Sequence, residues 1–225
     1  MEDAFRRWLR HAGEEASRVF LNGDLFDFWF EWGGVIPTGH TRVLGLLAEI
    51  VDSGVPVHLM GGNHDWWGGR YLSDEVGLIL HTEEVRMSLA GHDCLIAHGD
   101  GLGGGDWGYR MLKRLLRSPL SRGAFRWVHP DITTAIARRV SRTDANGHAA
   151  EDAKGRAAAL EGWARMRLLQ DESLDAVVLG HCHIPNRVEV ARQRFYLNAG
   201  DWLQHCSYVV FEEGNPPELR YWTVD

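Results

Sequence analysis

Hydrophobic and polar positions repeat along this chain with two periods, and the switches between them mark its elements. Phe5, Trp8, Leu9 and Ala12 fall at helical spacing with Arg6, Arg7 and Arg10 opposite, which predicts an opening amphipathic helix over residues 2–12. The apolar run Val19–Leu21 predicts a buried strand, and an aromatic loop follows from Phe26 to Trp32. Val43, Leu44, Leu47, Ile50 and Val51 stripe a second helix that starts at Thr38 or His40 and ends near Gly54, ahead of a strand over Pro56–Met60. Helices alternating with strands are the signature of a parallel sheet. Residues 71–90 predict one helical turn and short strands around Leu78–Leu80 and Val85–Leu89. A turn at Gly91-His92-Asp93 then leads into a Cys94–Ala97 strand.

From Asp106 to about Gln170 the strand signal disappears. Met111, Leu112, Leu115 and Leu116 form one apolar stripe, and Ile132, Ile136 and Val140 continue it in a following helix. Thr143–Gly147 reads as a loop and Ala149–Leu169 as an Ala-rich helix. This is the pattern of a helical cap inserted, at about 106–170, into a single domain spanning 1–225. Strands return at Ala176–Leu179, Arg194–Leu197, Ser207–Phe211 and Leu219–Val224, separated by Asn186, Gly200 and Asn215-Pro216-Pro217. With no helices between them they predict an antiparallel meander.

A chain of 225 residues can bury one sizeable core. Its formal charge of −7 offers no general field for nucleic acid, which excludes a nucleic-acid partner. The charge is uneven. Arg110 to Arg142 holds nine Lys/Arg against Asp131 alone, so this +8 segment leaves −15 on the remainder. A basic, apolar cap suits an anionic lipid head group with its tails, or an acidic membrane surface; each stripe taken singly fits equally a helix with one face in the core and the other in solvent. Cys94, Cys182 and Cys206 are odd in number and lack CxxC spacing, so a reducing compartment is expected. The opening residues lack the apolar stretch of a signal peptide, and no run is long enough to span a bilayer. The expectation is therefore a cytoplasmic protein, with at most a peripheral contact with the inner face of the membrane.

Candidate chemistry sits at four strand ends. Val57–Met60 runs into Gly61-Gly62-Asn63-His64-Asp65, and Val19–Leu21 into Gly23-Asp24 with Asp27 beyond. Cys94–Ala97 runs into His98-Gly99-Asp100, and Ala176–Leu179 into Gly180-His181-Cys182-His183. In open α/β sheets functional groups gather beyond the carboxyl ends of the strands, so the four can share one site. They offer Asp, Asn and three His, the donors that suit manganese, iron or zinc.

These segments, in this order and each after an apolar strand, resemble the calcineurin-like metallophosphoesterases. Gly23–Trp29, His98–Tyr109 and Asn198–Trp202 bring the resemblance closer, to the UDP-2,3-diacylglucosamine hydrolases of lipid A synthesis, over nearly the whole chain. The resemblance implies a four-layer α/β/β/α sandwich with a helical cap. It also implies two divalent cations, Mn2+ first with Fe2+ or Zn2+ as alternatives. Asp24 would bridge them, Asn63, His98 and His181 would complete one site, and His183 would belong to the other. His64 would stabilise charge or supply a proton beside the leaving group, while Asp27, Asp65 and Asp100 would orient ligands or hold loops. Asp106 and Tyr109 fall where the family meets the substrate head group. The implied reaction cleaves the diphosphate of a nucleotide-sugar lipid to UMP and 2,3-diacylglucosamine 1-phosphate. His64 stands where many members have Arg, a departure that marks a divergent branch.

The family also carries an Asp-x-His motif on a strand before the first helix, and 22 residues precede Gly23 without one. Asp3 and His11 lie on the predicted helix and cannot replace it. The expectation is that the sequence begins downstream of the first strand, that the ion held by His183 binds weakly, and that hydrolysis is impaired. Two other readings stay open at this point: a phosphoesterase of soluble phosphodiesters, and a non-catalytic protein that binds a nucleotide lipid.

Overall fold

The computed structural model describes residues 2–102, 118–133 and 149–223. The elements are α1 (Glu2–Glu15), β1 (Val19–Leu21), α2 (Thr41–Asp52), β2 (Val57–Met60), a single π turn (Tyr71–Glu75), β3 (Ile79–His81), β4 (Val85–Leu89), β5 (His92–Ile96), α3 (Pro119–Phe125), α4 (Ala149–Gln170), β6 (Ala176–Leu179), β7 (Asn186–Ala191), β8 (Arg194–Asn198), β9 (Ser207–Val210) and β10 (Glu218–Tyr221). All four residues of β2, and all four of β6, are buried, as expected of strands covered on both faces.

The strands form a parallel sheet β1-β2-β3, a five-stranded sheet β4-β5-β6-β8-β7 and a hairpin β9-β10. α1 and α2 bury Trp8, Leu9, Val43, Leu47 and Ile50 against one face of the first sheet. Its other face turns to the five-stranded sheet, where Met60 and Phe20 meet Cys94, Ile96, Val178 and Leu197. Leu160, Ala164 and Leu168, four apart along α4, cover the far side of that sheet at Leu95, Val177, Leu179 and Tyr196. The hairpin lies in the layer of the first sheet: Tyr208 packs toward the helices, and Val209 and Phe211 toward the five-stranded sheet. Helices, two sheets and a helix thus stack as α/β/β/α, the expected architecture. Of the expected cap, residues 118–133 and the helix from Ala149 are described.

Two expectations fail. β5 begins at His92, because Ala90 and Gly91 alone make the turn: both have positive φ, 47° and 87°, as a two-residue hairpin loop between Leu89 and His92 requires. The strands after the cap are not a meander. Asn186 opens a strand instead of breaking one, and β7 runs antiparallel to β8 at the sheet edge while β8 lies parallel to β6. The alternation Arg187-Val188-Glu189-Val190 carried that strand, and its polar half hid it.

Between the sheets, Phe20, His58 and His81 stack with ring centroids 5.2–5.6 Å apart, and His58 Nδ1 lies 2.9 Å from His81 Nε2. Burial, then the charges of His81 and Arg18, lower the His58 pKa from 6.5 to about 4, and burial lowers that of His81. The unfolded chain therefore takes up these protons more readily than the folded one. The stability tied to neutral His58 is complete above pH 6.5 and is lost as the pH falls toward 4. Replacing His58→Leu is expected to flatten the dependence of unfolding free energy on pH across this window, measured by urea denaturation. An unchanged slope would mean that the pair does not sense acid.

Candidate metal centre

Four strand ends meet at one edge of the sandwich. β1 leads through Asn22 into Gly23 and Asp24, with φ of 83° and 53°. A side chain at Gly23 would collide with the His98 ring, and one at Gly62 with the Asp24 carboxylate. Glycine here is a matter of room. From β6 the chain turns through Gly180 into His181 and His183, again at positive φ, 66° and 57°. Left-handed backbone costs an ordinary residue about 1–2 kcal/mol, so Asp24, His181 and His183 are aimed at some expense.

The donors converge. His98 Nε2 lies 3.1 Å from Asp24 Oδ2 and 3.2 Å from Asn63 Oδ1, and His181 Nδ1 lies 3.0 Å from the same Asn63 oxygen. Donor atoms of Asp24, His98 and His181 all fall within 4.8 Å of one another. His98 Nδ1 donates to the Asn22 carbonyl at 2.9 Å, which fixes the ring and points Nε2 into the cluster.

The loop bearing Asp24 hangs on Asp65, which is 1% exposed. Asp65 Oδ1 accepts from Gly62 N at 2.8 Å and Asp24 N at 3.2 Å; Oδ2 accepts from Leu25 N at 2.6 Å and Phe26 N at 3.4 Å. His64 N donates to Asp24 Oδ1 at 3.1 Å, and His64 Nδ1 to the Asp27 carbonyl at 2.9 Å. On the opposite side Asn198, fully buried, donates to Gly180 O and Cys182 Sγ and so holds the His181–His183 turn.

Charge reinforces this arrangement. Burial would raise the Asp24 pKa, but its hydrogen bond and attraction to His98, with a smaller pull from His64, hold it well below the usual carboxylate range. Burial would lower His98, but Asp24 outweighs it and raises the ring to about 9. Burial and the charge of His98 push His181 down to about 4, which leaves a neutral imidazole with a free lone pair. Burial and the neighbouring Asp24 raise Asp65 to about 6. Asp24 Oδ2 is buried without a hydrogen bond of good geometry. The Asp24 and Asn63 oxygens with the imidazole nitrogens of His98 and His181 are a set that a divalent cation fits.

The other sequence-derived residues stand apart from this cluster. His183 Nδ1 lies 3.9 Å from Asp201 Oδ2, and His205 Nδ1 3.4 Å from Asp201 Oδ1. Asp27 is exposed and takes part through its carbonyl, while Asp100 is buried and its charge acts on His98 and His181. Asp106 and Tyr109 lie outside the described residues. Sequence reasoning missed Asn22 and Asp201. Asn22 acts through a backbone carbonyl, which no side-chain pattern records. Asp201 lies inside the Asn198–Trp202 segment and could have been found there: its Oδ1 accepts from the amides of Leu203, Gln204 and His205 and leaves Oδ2 toward His183.

The family profile described as calcineurin-like phosphoesterase matches residues 2–185. A UDP-2,3-diacylglucosamine hydrolase of Porphyromonas gingivalis is 31% identical over 94% of this chain and 86% of its own. One from Ectopseudomonas mendocina is 30% identical over 88% and 82%. Among solved structures, a conserved uncharacterized protein of Streptococcus pneumoniae TIGR4, described as a phosphoesterase, aligns at a TM-score of 0.39 and 14% identity over 92% of this chain and 72% of that one. A likeness this loose adds nothing to the assignment.

Replacing Asp65→Asn turns an amide group against two of the four backbone donors and should lower the unfolding free energy by about 3 kcal/mol. Urea denaturation checks this, and a loss below about 0.5 kcal/mol would contradict the anchoring role. Manganese should raise the thermal midpoint of the parent chain, as any ligand of the native state does, and Asp24→Asn should abolish that rise.

Proposed function

We propose that this chain, which belongs to the calcineurin-like phosphoesterase family, hydrolyses the diphosphate of UDP-2,3-diacylglucosamine to UMP and 2,3-diacylglucosamine 1-phosphate. The convergence of Asp24, Asn63, His98 and His181 donors at the strand ends carries the reading, since it provides for a phosphate-directed cation. Relatives named for that substrate, similar over most of the chain, support this choice of substrate.

In this reading Asp24, Asn63, His98 and His181 would hold one divalent cation, and Asp24 and His183 would serve a second. Manganese is the first choice, iron or zinc the alternatives. When bound, such a pair supplies charge that draws in the phosphoryl oxygens and acidifies a water for in-line attack. The chain's own groups do the positioning. His98, tied to Asn22, keeps Nε2 on the cation side. His64, tied through Nδ1 to Asp27, presents its other nitrogen to stabilise charge on the phosphoryl group or to pass a proton to the leaving oxygen. Asp201 steadies His183. A second cation with Asp24 and His183 as its donors among the described residues would be held weakly, which would slow turnover.

The cap supports a lipid-linked substrate. Phe125 of α3 packs on Phe30 and Trp67, at centroid distances of 5.2 and 4.7 Å, and so brings the cap to the aromatic loop beside the site. Leu120 and Trp127 are 86% and 92% exposed next to exposed Arg126, a surface suited to acyl chains or to the anionic face of a membrane. No helix among the described residues is long and apolar enough to cross a bilayer. A cytoplasmic protein with a peripheral membrane contact is the corresponding placement.

Manganese-dependent release of UMP from UDP-2,3-diacylglucosamine tests the proposal. His64→Ala should lower kcat about 10²-fold with little change in KM. His64→Arg should recover most of the loss if charge stabilisation dominates. Hydrolysis of bis(p-nitrophenyl) phosphate with none of the lipid would instead make this an esterase of soluble phosphodiesters. Tight retention of the lipid without turnover, in the parent chain saturated with manganese, would make it a binding protein.

A further inference from the structure

Away from the candidate centre, two titratable rings touch between the sheets. His58 of β2 is 7% exposed and stacks on Phe20 of β1; His81, the last residue of β3 and the less buried of the two, reaches back to it. The 2.9 Å contact of His58 Nδ1 with His81 Nε2 requires one ring to donate and the other to accept, so one of these nitrogens must lack a proton. Nothing nearby welcomes a further charge. Arg18, whose Nη1 donates to Ser88 O at 3.3 Å, adds a like charge beside His58. Among the described residues of this inter-sheet core the Cys94 thiol alone titrates from the five-stranded sheet, and burial pushes it up to about 12. No carboxylate is among the groups that shift either ring.

Two hydrogen bonds tie this pair to the loop that carries Asn63, His64 and Asp65. Gly61 N donates to the His81 carbonyl at 2.8 Å, and Trp66 Nε1 to the Thr82 carbonyl at 3.2 Å, so the end of β3 clamps the loop at both its ends. Gly61 and Trp66 are themselves in close contact: a side chain at residue 61 would come within 3.2 Å of Trp66. The end of β3 thereby sets where Asn63 Oδ1 stands against His98 and His181. We propose that the His58–His81 pair is an acid-operated release for this loop, in which charging the rings drives His81 toward water and the end of β3 lets go of Gly61 and Trp66. Proton by proton, the neutral pair holds one hydrogen in the contact. One more proton makes a cation buried beside Arg18, and a further one leaves two N–H groups face to face with no acceptor. Asn63 is then withdrawn from the two histidines while the sheets stay folded. Burial, with the charges of His81 and Arg18, lowers His58 from 6.5 to about 4, so the release belongs to that range.

Hydrogen exchange on the chain without added metal tests this apart from the reaction proposed above. Between about pH 7 and about pH 4, the Gly61 amide and the Trp66 indole N–H, corrected for intrinsic exchange, should speed by about tenfold or more, while the amides of β6 stay protected. In His58→Leu, and in His58→Gln, which keeps a hydrogen-bonding partner for His81, the same step should change their exchange by less than about threefold. In the parent chain the imidazole 15N shift of His58 should titrate over the same range as the release, a readout that decides the matter even if neither variant folds. Three results would overturn the proposal. A folded variant that releases the loop as the parent does would assign the acid response to Asp65. Amides of β6 that speed together with the loop would make it global unfolding. Loop exchange that is unchanged while His58 takes up its proton would uncouple the pair from the loop.

Discussion

The candidate centre depends on one buried carboxylate. Asp65 gathers the amides of Gly62, Asp24, Leu25 and Phe26 and thereby ties the loop after β1 to the loop after β2. Without an acceptor of that charge and reach, four backbone donors would be left unpaired in the interior. Asp65 therefore sets where Asp24 sits, and Asp24 in turn governs the charge of His98. The burial that makes Asp65 costly to ionise also makes its hydrogen bonds strong.

Around that anchor the layers divide the work. The parallel strands β1 and β2 deliver Asp24 and Asn63 from one sheet; β5 and β6 deliver His98 and His181 from the other. The centre is thus a contact between two sheets, and its geometry inherits the packing of Met60, Ile96, Val178 and Leu197 between them. Glu31 plays for the aromatic loop the part that Asp65 plays for the loop bearing Asp24. Its carboxylate accepts from the amides of Gly69, Tyr71 and Leu72 and from the Trp29 indole, and so fixes the loop on which Phe125 of α3 rests.

Much of this was legible in the sequence because apolar period and glycine position report on local geometry. The runs Val19–Leu21, Val57–Met60 and Ala176–Leu179 are strands, and polar residues from all four strand ends, Asp24, Asn63, His98 and His181, do meet. What stayed hidden has physical reasons. β7 is half polar because it lies at an edge, so its composition imitates a loop. Residues 92 and 93 look like a turn but pair with β4, because Ala90 accepted a left-handed torsion that favours glycine. The pairing partners of β8 and the separation of β9-β10 depend on contacts distant in sequence, which no local pattern encodes. The role of Asn22 rests on its backbone carbonyl, a group that is the same in every residue.

The positive φ at Asp24, His181 and His183 also shapes how this centre could drift over evolutionary time. Asparagine and glycine enter that torsion with little penalty, whereas alanine, valine and threonine resist it. A lineage that lost pressure for catalysis would thus tend to erode these positions through Asn or Gly while keeping the loop trace intact. The fold would outlive the chemistry, and Asn or Gly at these sites in a descendant would record an abandoned centre held in an unchanged backbone.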